Sequence, residues 1–358
     1  MTEPAAVAST NSAVAVAPSE RGWGKLLLAL IAFFLVPKMY RSLLPVEDTM
    51  LLLVPALAAA ALVGWWAGGR AFMALSWCAL AAVMTIQTTT PPNAFSNLIR
   101  GWSLLLAGSF GLVCLFGMRR PLFSRALSAL GITLFLGAVL SVVGPVTVSS
   151  AAKIVADEFA RRNAETIVTM NTFVQTHPEA WSDLTKKVPA LAQLPAETEK
   201  QISMLSDAGV AVFPALLALQ SLAALALAWA TYHRLSRARL GAPLRPLKEF
   251  RFNDQLVWGL IVGLTIVLLP TLSTARGVGR NLLVFFGALY AVRGFGVLSW
   301  FMAPGSLGVT LSVGFIMLAA PVLQFFAALA LMVLGTAALA LGLGDTWADW
   351  RNRPRPTS

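Results

Sequence analysis

Long apolar stretches separated by short polar junctions run through most of this chain, at about 23–44, 50–67, 71–87, 98–118, 126–148, 209–232, 256–272, 282–302 and 307–342. Most hold roughly 17 to 23 residues, the length at which a helix rising 1.5 Å per residue crosses about 30 Å of hydrocarbon. The first is interrupted by Pro37 and Lys38, and the last carries Pro321 near its middle. A single kinked helix or a tight hairpin both fit that last block. The pattern predicts an all-α, polytopic integral membrane bundle of about eight to ten transmembrane helices.

One segment breaks the pattern. Residues 151–207 carry eight acidic and six basic side chains, net −2 against +13 for the remainder. Val155, Phe159, Thr166, Met170 and Phe173 recur at helical spacing, with Asp157, Glu158, Arg161 and Arg162 assigned to the opposite, solvated side. That helix should stop before Pro178, with two shorter ones following, split by Pro189 and Pro195. The chain therefore divides into a disordered tail (1–22), a first transmembrane half of about five helices (23–150), an extracytoplasmic helical cap (151–207), a second transmembrane half (208–345) and a polar basic tail (346–358).

Composition strengthens this division. Hydrophobic residues make up 57% and charged residues 12% of the chain, and mean hydropathy is +0.74, which no soluble domain of this length matches. The net charge of +11 comes from basic residues beside apolar blocks, where they orient helices and meet anionic head groups, so nucleic acid is not an expected partner. Arg119, Arg120 and Arg125 flank one junction, and Arg234, Arg237, Arg239, Arg245, Lys248 and Arg251 crowd another. The positive-inside rule places both, with the N-terminus, in the bacterial cytoplasm and residues 151–207 outside. Trp65, Trp66, Trp229, Trp258 and Trp300 fall near the proposed cytoplasmic ends, as interface anchors do.

Candidate chemistry is sparse. Cys78 and Cys114 sit mid-block as small packing residues, and His177 and His233 lie in different loops, so no metal site or cofactor is expected. The nucleophile-elbow, zinc-protease and phosphate-loop patterns are absent, and the chain is not expected to be an enzyme. Arg293 lies in the 282–302 block, near the bilayer midplane, at an insertion cost of about 2.5–3.5 kcal/mol. Phe286, Tyr290, Val297 and Trp300 share its helix face. A guanidinium among aromatic rings suits an anionic or planar ligand; the competing reading pairs it with a neighbouring carboxylate or helix-end carbonyls to hold the bundle. Arg276, Gly277, Gly279, Arg280 and Asn281 form a second candidate, an anion cradle at a helix start or a plain glycine turn with solvated arginines. The ligand set expected from these features is Arg293, Tyr290, Trp300, Arg280 and Asn281. Gly259 and Gly263, Gly287 and Ala291, and Ala107 and Gly111 are expected to allow close helix packing. Asp345 and Asp349 read as a polar C-terminal cap with Arg351.

Three stretches carry a family resemblance: PLKEFRFNDQLVWGLIVGL (246–264), GRNLLVFFGALYAVRGFGVLSWF (279–301) and LGLGDTWADWR (341–351). They resemble the YybS-like bacterial membrane proteins in the basic junction before a Trp-bearing helix, in Asn281, Tyr290 and Gly294, and in the closing Gly344, Asp345, Asp349 and Arg351. That family is distantly similar to the substrate-binding membrane subunits of energy-coupling-factor transporters. The resemblance implies a small-molecule binding or transport subunit with its ligand near Arg293 under the cap, docking on a coupling subunit and ATPases. Docking there uses small residues of the first helix; here the nearest pairs are Ala29 with Ala32 and, in the second span, Ala56 with Ala60. The alternative is a membrane scaffold or assembly factor that binds another envelope protein through the cap and the basic 234–251 loop.

Overall fold

The computed structural model describes residues 22–86, 93–117, 120–144, 146–187, 194–236, 240–302 and 324–348, with isolated positions between 306 and 350. Twelve α-helices cover them: α1 Trp23–Met39, α2 Met50–Trp66, α3 Ala71–Ile86, α4 Ala94–Phe116, α5 Leu122–Val143, α6 Val148–Thr176, α7 Pro178–Lys187, α8 Leu194–Ala211, α9 Phe213–Leu235, α10 Val257–Leu268, α11 Arg276–Phe301 and α12 Gln324–Ala348. No strand occurs among the described residues. Four segments are long and apolar enough to cross a membrane, Ala94–Phe116, Leu122–Val143, Phe213–Leu235 and Pro270–Phe301, and four shorter apolar helices accompany them. The architecture is the all-α polytopic bundle that the hydropathy pattern predicts.

The expected boundaries shift where local chemistry sets the ends. α4 begins four residues before the predicted 98 because the Asn93 side chain accepts the Phe95 N–H at 2.9 Å and caps the helix. α5 runs between Pro121 and Gly144 rather than over 126–148. α8 continues to Ala211, and Pro214 restarts the chain as α9 at Phe213 rather than at 209. The glycine–arginine stretch 276–281, expected as an anion cradle at a helix start or a glycine turn, forms the first turns of α11. The expected hairpin or kink at Pro321, the pairing of Asp349 with Arg351, and the tails 1–21 and 351–358 lie outside the described residues.

The core is built by α2, α4 and α9, with α1, α3 and α5 around them. Leu52, Ala56, Leu57 and Ala60 of α2 meet Leu106 and Phe110 of α4 and Leu225, Ala228 and Trp229 of α9. Alanines at this seam bring backbones close, the main source of helix attraction where lipid tails replace water. Polar ties fix the register: the Gln220 amide pairs with both backbone groups of Val46 at 3.0 and 3.2 Å, and Trp102 Nε1 donates to Ser221 Oγ at 2.9 Å. α5 turns Phe135, Val139 and Leu140 outward, as a lipid-facing helix does.

α6, α7 and α8 form the predicted cap segment, but α6 departs from its predicted faces. Glu158 and Arg162 are buried together with Val155 and Phe159, not solvated opposite them. On a 3.6-residue period, positions 155, 158, 159, 162 and 166 share one stripe. Arg162 makes burial tolerable by saturating itself. Its Nε reaches Glu158 at 3.0 Å and Glu47 at 2.9 Å, Nη1 donates to the carbonyls of Arg41 and Leu44, and the guanidinium lies 5.0 Å over the Phe95 ring. Asn93 adds a hydrogen bond to Glu158 at 3.3 Å. The cap is thereby fastened to the α1–α2 loop and to the start of α4.

The opposite end of the bundle is tied by a second buried arginine. Arg125 donates to the carbonyls of Arg120 at 2.8 Å and Leu240 at 3.1 Å, and its guanidinium stands 4.6 Å over Trp229. Trp229, predicted as an interface anchor, is fully buried here because its ring carries this cation and its Nε1 binds the Ala242 carbonyl at 3.1 Å. Gly241, between those two carbonyls, has φ +85°, a conformation side chains other than glycine rarely adopt.

α12 runs antiparallel to α11 with backbones in contact. A methyl placed on Gly294 would strike Ala338, and one on Gly342 would strike the Tyr290 carbonyl. Of the small-residue pairs predicted for packing, a methyl on Gly263 would lie 3.1 Å from the Gly279 carbonyl, whereas one on Gly287 would meet nothing within 4 Å. Gly342→Ala should therefore lower the stability of the detergent-solubilised protein by about 1–3 kcal/mol, and Gly287→Ala should leave it unchanged or raise it by up to about 1 kcal/mol. Equal effects in an unfolding titration would contradict the α11–α12 contact.

Glu158 carries a pH signature. Burial raises its carboxyl, but hydrogen bonds from Arg161 and Arg162, the Arg162 charge and Asn93 outweigh it and hold the group down at about 2. An unfolded glutamate titrates near about 4.3. The ionised latch thus contributes its full stability above that value and loses it as pH falls toward 2. The protection of α6 amides relative to their intrinsic exchange rate should fall as pH drops through this window, and Glu158→Gln should flatten the dependence. An α6 profile unchanged by the substitution would overturn the latch.

Candidate functional site

Arg293 is the most demanding residue of the apolar helices, and α11 places it among partners from two other segments. It is 3% exposed. Its Nε donates to Asp345 Oδ2 at 3.0 Å, Nη1 to Asp254 Oδ1 at 2.6 Å, and Nη2 to the Asp345 carbonyl at 3.3 Å. The guanidinium lies 5.4 Å over the Phe252 ring, which meets Tyr290 edge-on at 5.0 Å. Asp345 comes from the last turn of α12 and Asp254 from the short 3₁₀ turn Asp254–Leu256 that leads into α10. Two carboxylates face one guanidinium, so with both ionised the cluster is net −1.

Each partner is positioned by its own local reason. The glycines of the α11–α12 contact bring Asp345 within reach of Arg293. Asn253 caps the 3₁₀ turn by accepting the Gln255 N–H at 3.0 Å, which fixes Asp254 beside it. Phe250 and Phe252 pack on Phe123 of α5 at 5.3 and 5.5 Å. The segment therefore bridges the first half of the bundle to Arg293.

The five predicted ligand residues do not converge. Tyr290 is fully buried and shares the Phe252 ring with Arg293. Trp300 lies two turns further along α11 and packs on Phe301 at 4.9 Å. Arg280 is exposed. Asn281 spends its amide on the backbone: Oδ1 accepts the Ala215 N–H at 2.9 Å, and Nδ2 donates to the Ala211 and Gly277 carbonyls at 3.0 and 2.9 Å. It clamps the α8–α9 junction to α11. From Asn281 to Arg293 the helix rises about 18 Å.

That distance corrects the predicted arrangement of a ligand near Arg293 beneath the cap. The cap adjoins the Asn281 end of α11, and Arg293 adjoins Phe252 and Phe123 at the other. Arg293 also lies nearer the end of its helix than the sequence implied, because α11 starts at Arg276 rather than 282. Asp345 is corrected too. It is not a polar C-terminal cap but a 1% exposed partner of Arg293 inside α12. Asp254, Phe252 and Asp345 were missed by sequence reasoning; the signal available for Asp345 was its place inside the apolar, glycine-rich run Leu341–Trp347.

Among the described residues no group of three or more His, Cys, Asp or Glu is placed to hold a metal ion. A shallow surface depression of about 400 Å³ lies on α7, lined by Pro178, Glu179, Ser182, Asp183 and Lys186. It lies on the cap, remote from Arg293.

Comparison with known proteins places the chain in one family. Residues 29–337 match the family described as predicted membrane protein (DUF2232), and the chain belongs to it. No curated protein and no solved structure matches the chain.

The Arg293 geometry separates its two acids by burial. Asp345→Asn leaves a buried guanidinium short of its counter-charge and should cost about 3–5 kcal/mol of stability. The Asp254 side chain is 58% exposed, so Asp254→Asn should cost less than about 1 kcal/mol. Chemical unfolding of the two variants in detergent measures the difference, and equal costs would contradict the assignment.

Proposed function

We propose that this DUF2232 family member is a non-enzymatic membrane scaffold or assembly factor that binds another membrane or envelope protein. In this reading it sits in the bacterial inner membrane with its N-terminus in the cytoplasm and the α6–α8 cap outside, presented to the partner. The observation that carries the reading is the state of Arg293. Its guanidinium is engaged on three nitrogens by Asp254 and Asp345, in a cluster whose charge repels an anion. Asn281 and Arg162 are likewise engaged by the chain's own backbone and carboxylates. Side chains that would recognise a ligand instead join helices. The Arg162 ties favour a fixed platform over a mobile lid.

A second reading follows from the YybS-like resemblance, in which the chain is a substrate-binding subunit similar to those of energy-coupling-factor transporters. One observation favours it: Asp254 is more than half exposed, so the Nη1 edge of Arg293 can be reached by an anionic ligand that displaces it. Purification from native membranes in mild detergent, followed by mass spectrometry of all co-purifying proteins and small molecules, separates the two. The scaffold reading expects one recurring membrane or envelope protein near equimolar amount, recovered in reciprocal capture and retained by Arg293→Gln. A stoichiometric small molecule lost in that variant, or a transporter ATPase with its coupling subunit, would overturn it.

A further inference from the structure

The segment between α9 and α10 has a threefold sequence pattern. Leu244, Leu247 and Phe250 form one row, Arg245, Lys248 and Arg251 the next, and Pro246, Glu249 and Phe252 the third. Its backbone has a matching period. Leu247–Glu249 is a 3₁₀ turn, and the flanking Pro246 (φ −58°, ψ 150°) and Phe250 (φ −65°, ψ 115°) are close to polyproline II. Both conformations repeat every three residues and so space the three cations evenly along the segment, while Phe250 and Phe252 both pack on Phe123. The apolar row faces inward at its ends: Leu244 packs on the main core and Phe250 on Phe123. Arg245, Lys248 and Arg251 are all exposed, and Glu249 falls in a different row.

This strip is held in place rather than free. Arg125 holds the Leu240 carbonyl, Trp229 the Ala242 carbonyl, and Arg293 holds Asp254. The prolines at 243 and 246 stiffen the backbone between. Successive cations then stand about 6–9 Å apart along the strip. Arg120 and Arg70 are exposed at the same end of the bundle. Trp66 and Trp258 are 81% and 63% exposed there, as tryptophans at a head-group boundary are.

We infer that the row Arg245, Lys248 and Arg251 is a preorganised docking strip for anionic phospholipid head groups of the leaflet at this end, which fix the bundle's depth in the membrane. Charge complementarity selects the occupant: a line of cations flanked by membrane-boundary tryptophans fits phosphate diesters in a plane. The α6–α8 cap is left to any protein partner, so the inference stands apart from the scaffold reading.

The test uses the full chain in detergent, titrated with mixed micelles containing either phosphatidylglycerol or phosphatidylcholine, with bound lipid counted by native mass spectrometry. The wild type should prefer phosphatidylglycerol, and the preference should fall with added salt. The variant Arg245→Gln/Lys248→Gln/Arg251→Gln should lose roughly a hundredfold of that preference, while Arg276→Gln/Arg280→Gln at the cap end should keep it. Arg245→Lys/Arg251→Lys retains the charge and should retain the preference, which covers the case in which the triple variant fails to fold. An equal phosphatidylglycerol preference in wild type and triple variant, or its loss in Arg245→Lys/Arg251→Lys, would overturn the inference. Displacement of the lipid by millimolar inorganic phosphate would reassign the strip to a soluble anion, and loss of a co-purifying protein with lipid preference intact would reassign it to a protein partner.

Discussion

An apolar bundle cannot leave a guanidinium unanswered, and three buried arginines organise this one. Arg162, Arg125 and Arg293 are each about 3% exposed or less, and each sits where segments distant in sequence must meet. Arg162 joins the cap to the α1–α2 loop, Arg125 joins α5 to the segment after α9, and Arg293 joins α11 to α12 and to the start of α10. They are neutralised differently. Arg162 and Arg293 have carboxylates together with carbonyls, whereas Arg125 uses backbone carbonyls and the face of Trp229. Removing a partner from any of them strands a charge, so these contacts specify the arrangement more than they add to its stability.

The helices were legible in the sequence because twenty-residue apolar runs have few other physical uses. The arginine partners were less so, for identifiable reasons. Glu158 and Arg162 lay on the apolar stripe of α6 by angle, but charge was weighed above geometry, and an ion pair that closes on itself reverses that weighting. Asp345 looked like a tail residue because it stands three residues past the apolar block that ends at 342. Only the backbone contact at Gly294 and Gly342 shows that the last turn of α12 reaches Arg293. Asn281 began a helix in the sequence and in fact staples two others, since a single amide can serve three backbone groups.

The candidate site changes meaning with these partners. A lone arginine within aromatic residues suggests a ligand; the same arginine between two aspartates is a joint. Its link runs onward through Phe252 to Phe123, so the two halves of the chain meet at an aromatic seam beside the joint. Exposed cations gather at the same end, on a segment that docks through Leu244, Phe250 and Phe252. The cap end combines acids and bases tied to one another. The two ends of the molecule thus differ in surface chemistry, exposed cations at one and paired acids and bases at the other.

The central claim is that Arg293 and Asp345 act as one unit. A double-mutant cycle with Arg293→Met and Asp345→Leu, read by unfolding of the full chain in detergent, measures this directly. The account predicts a coupling of at least about 2 kcal/mol, with the double variant more stable than either single one. Additive losses, with a coupling below about 0.5 kcal/mol, would contradict it.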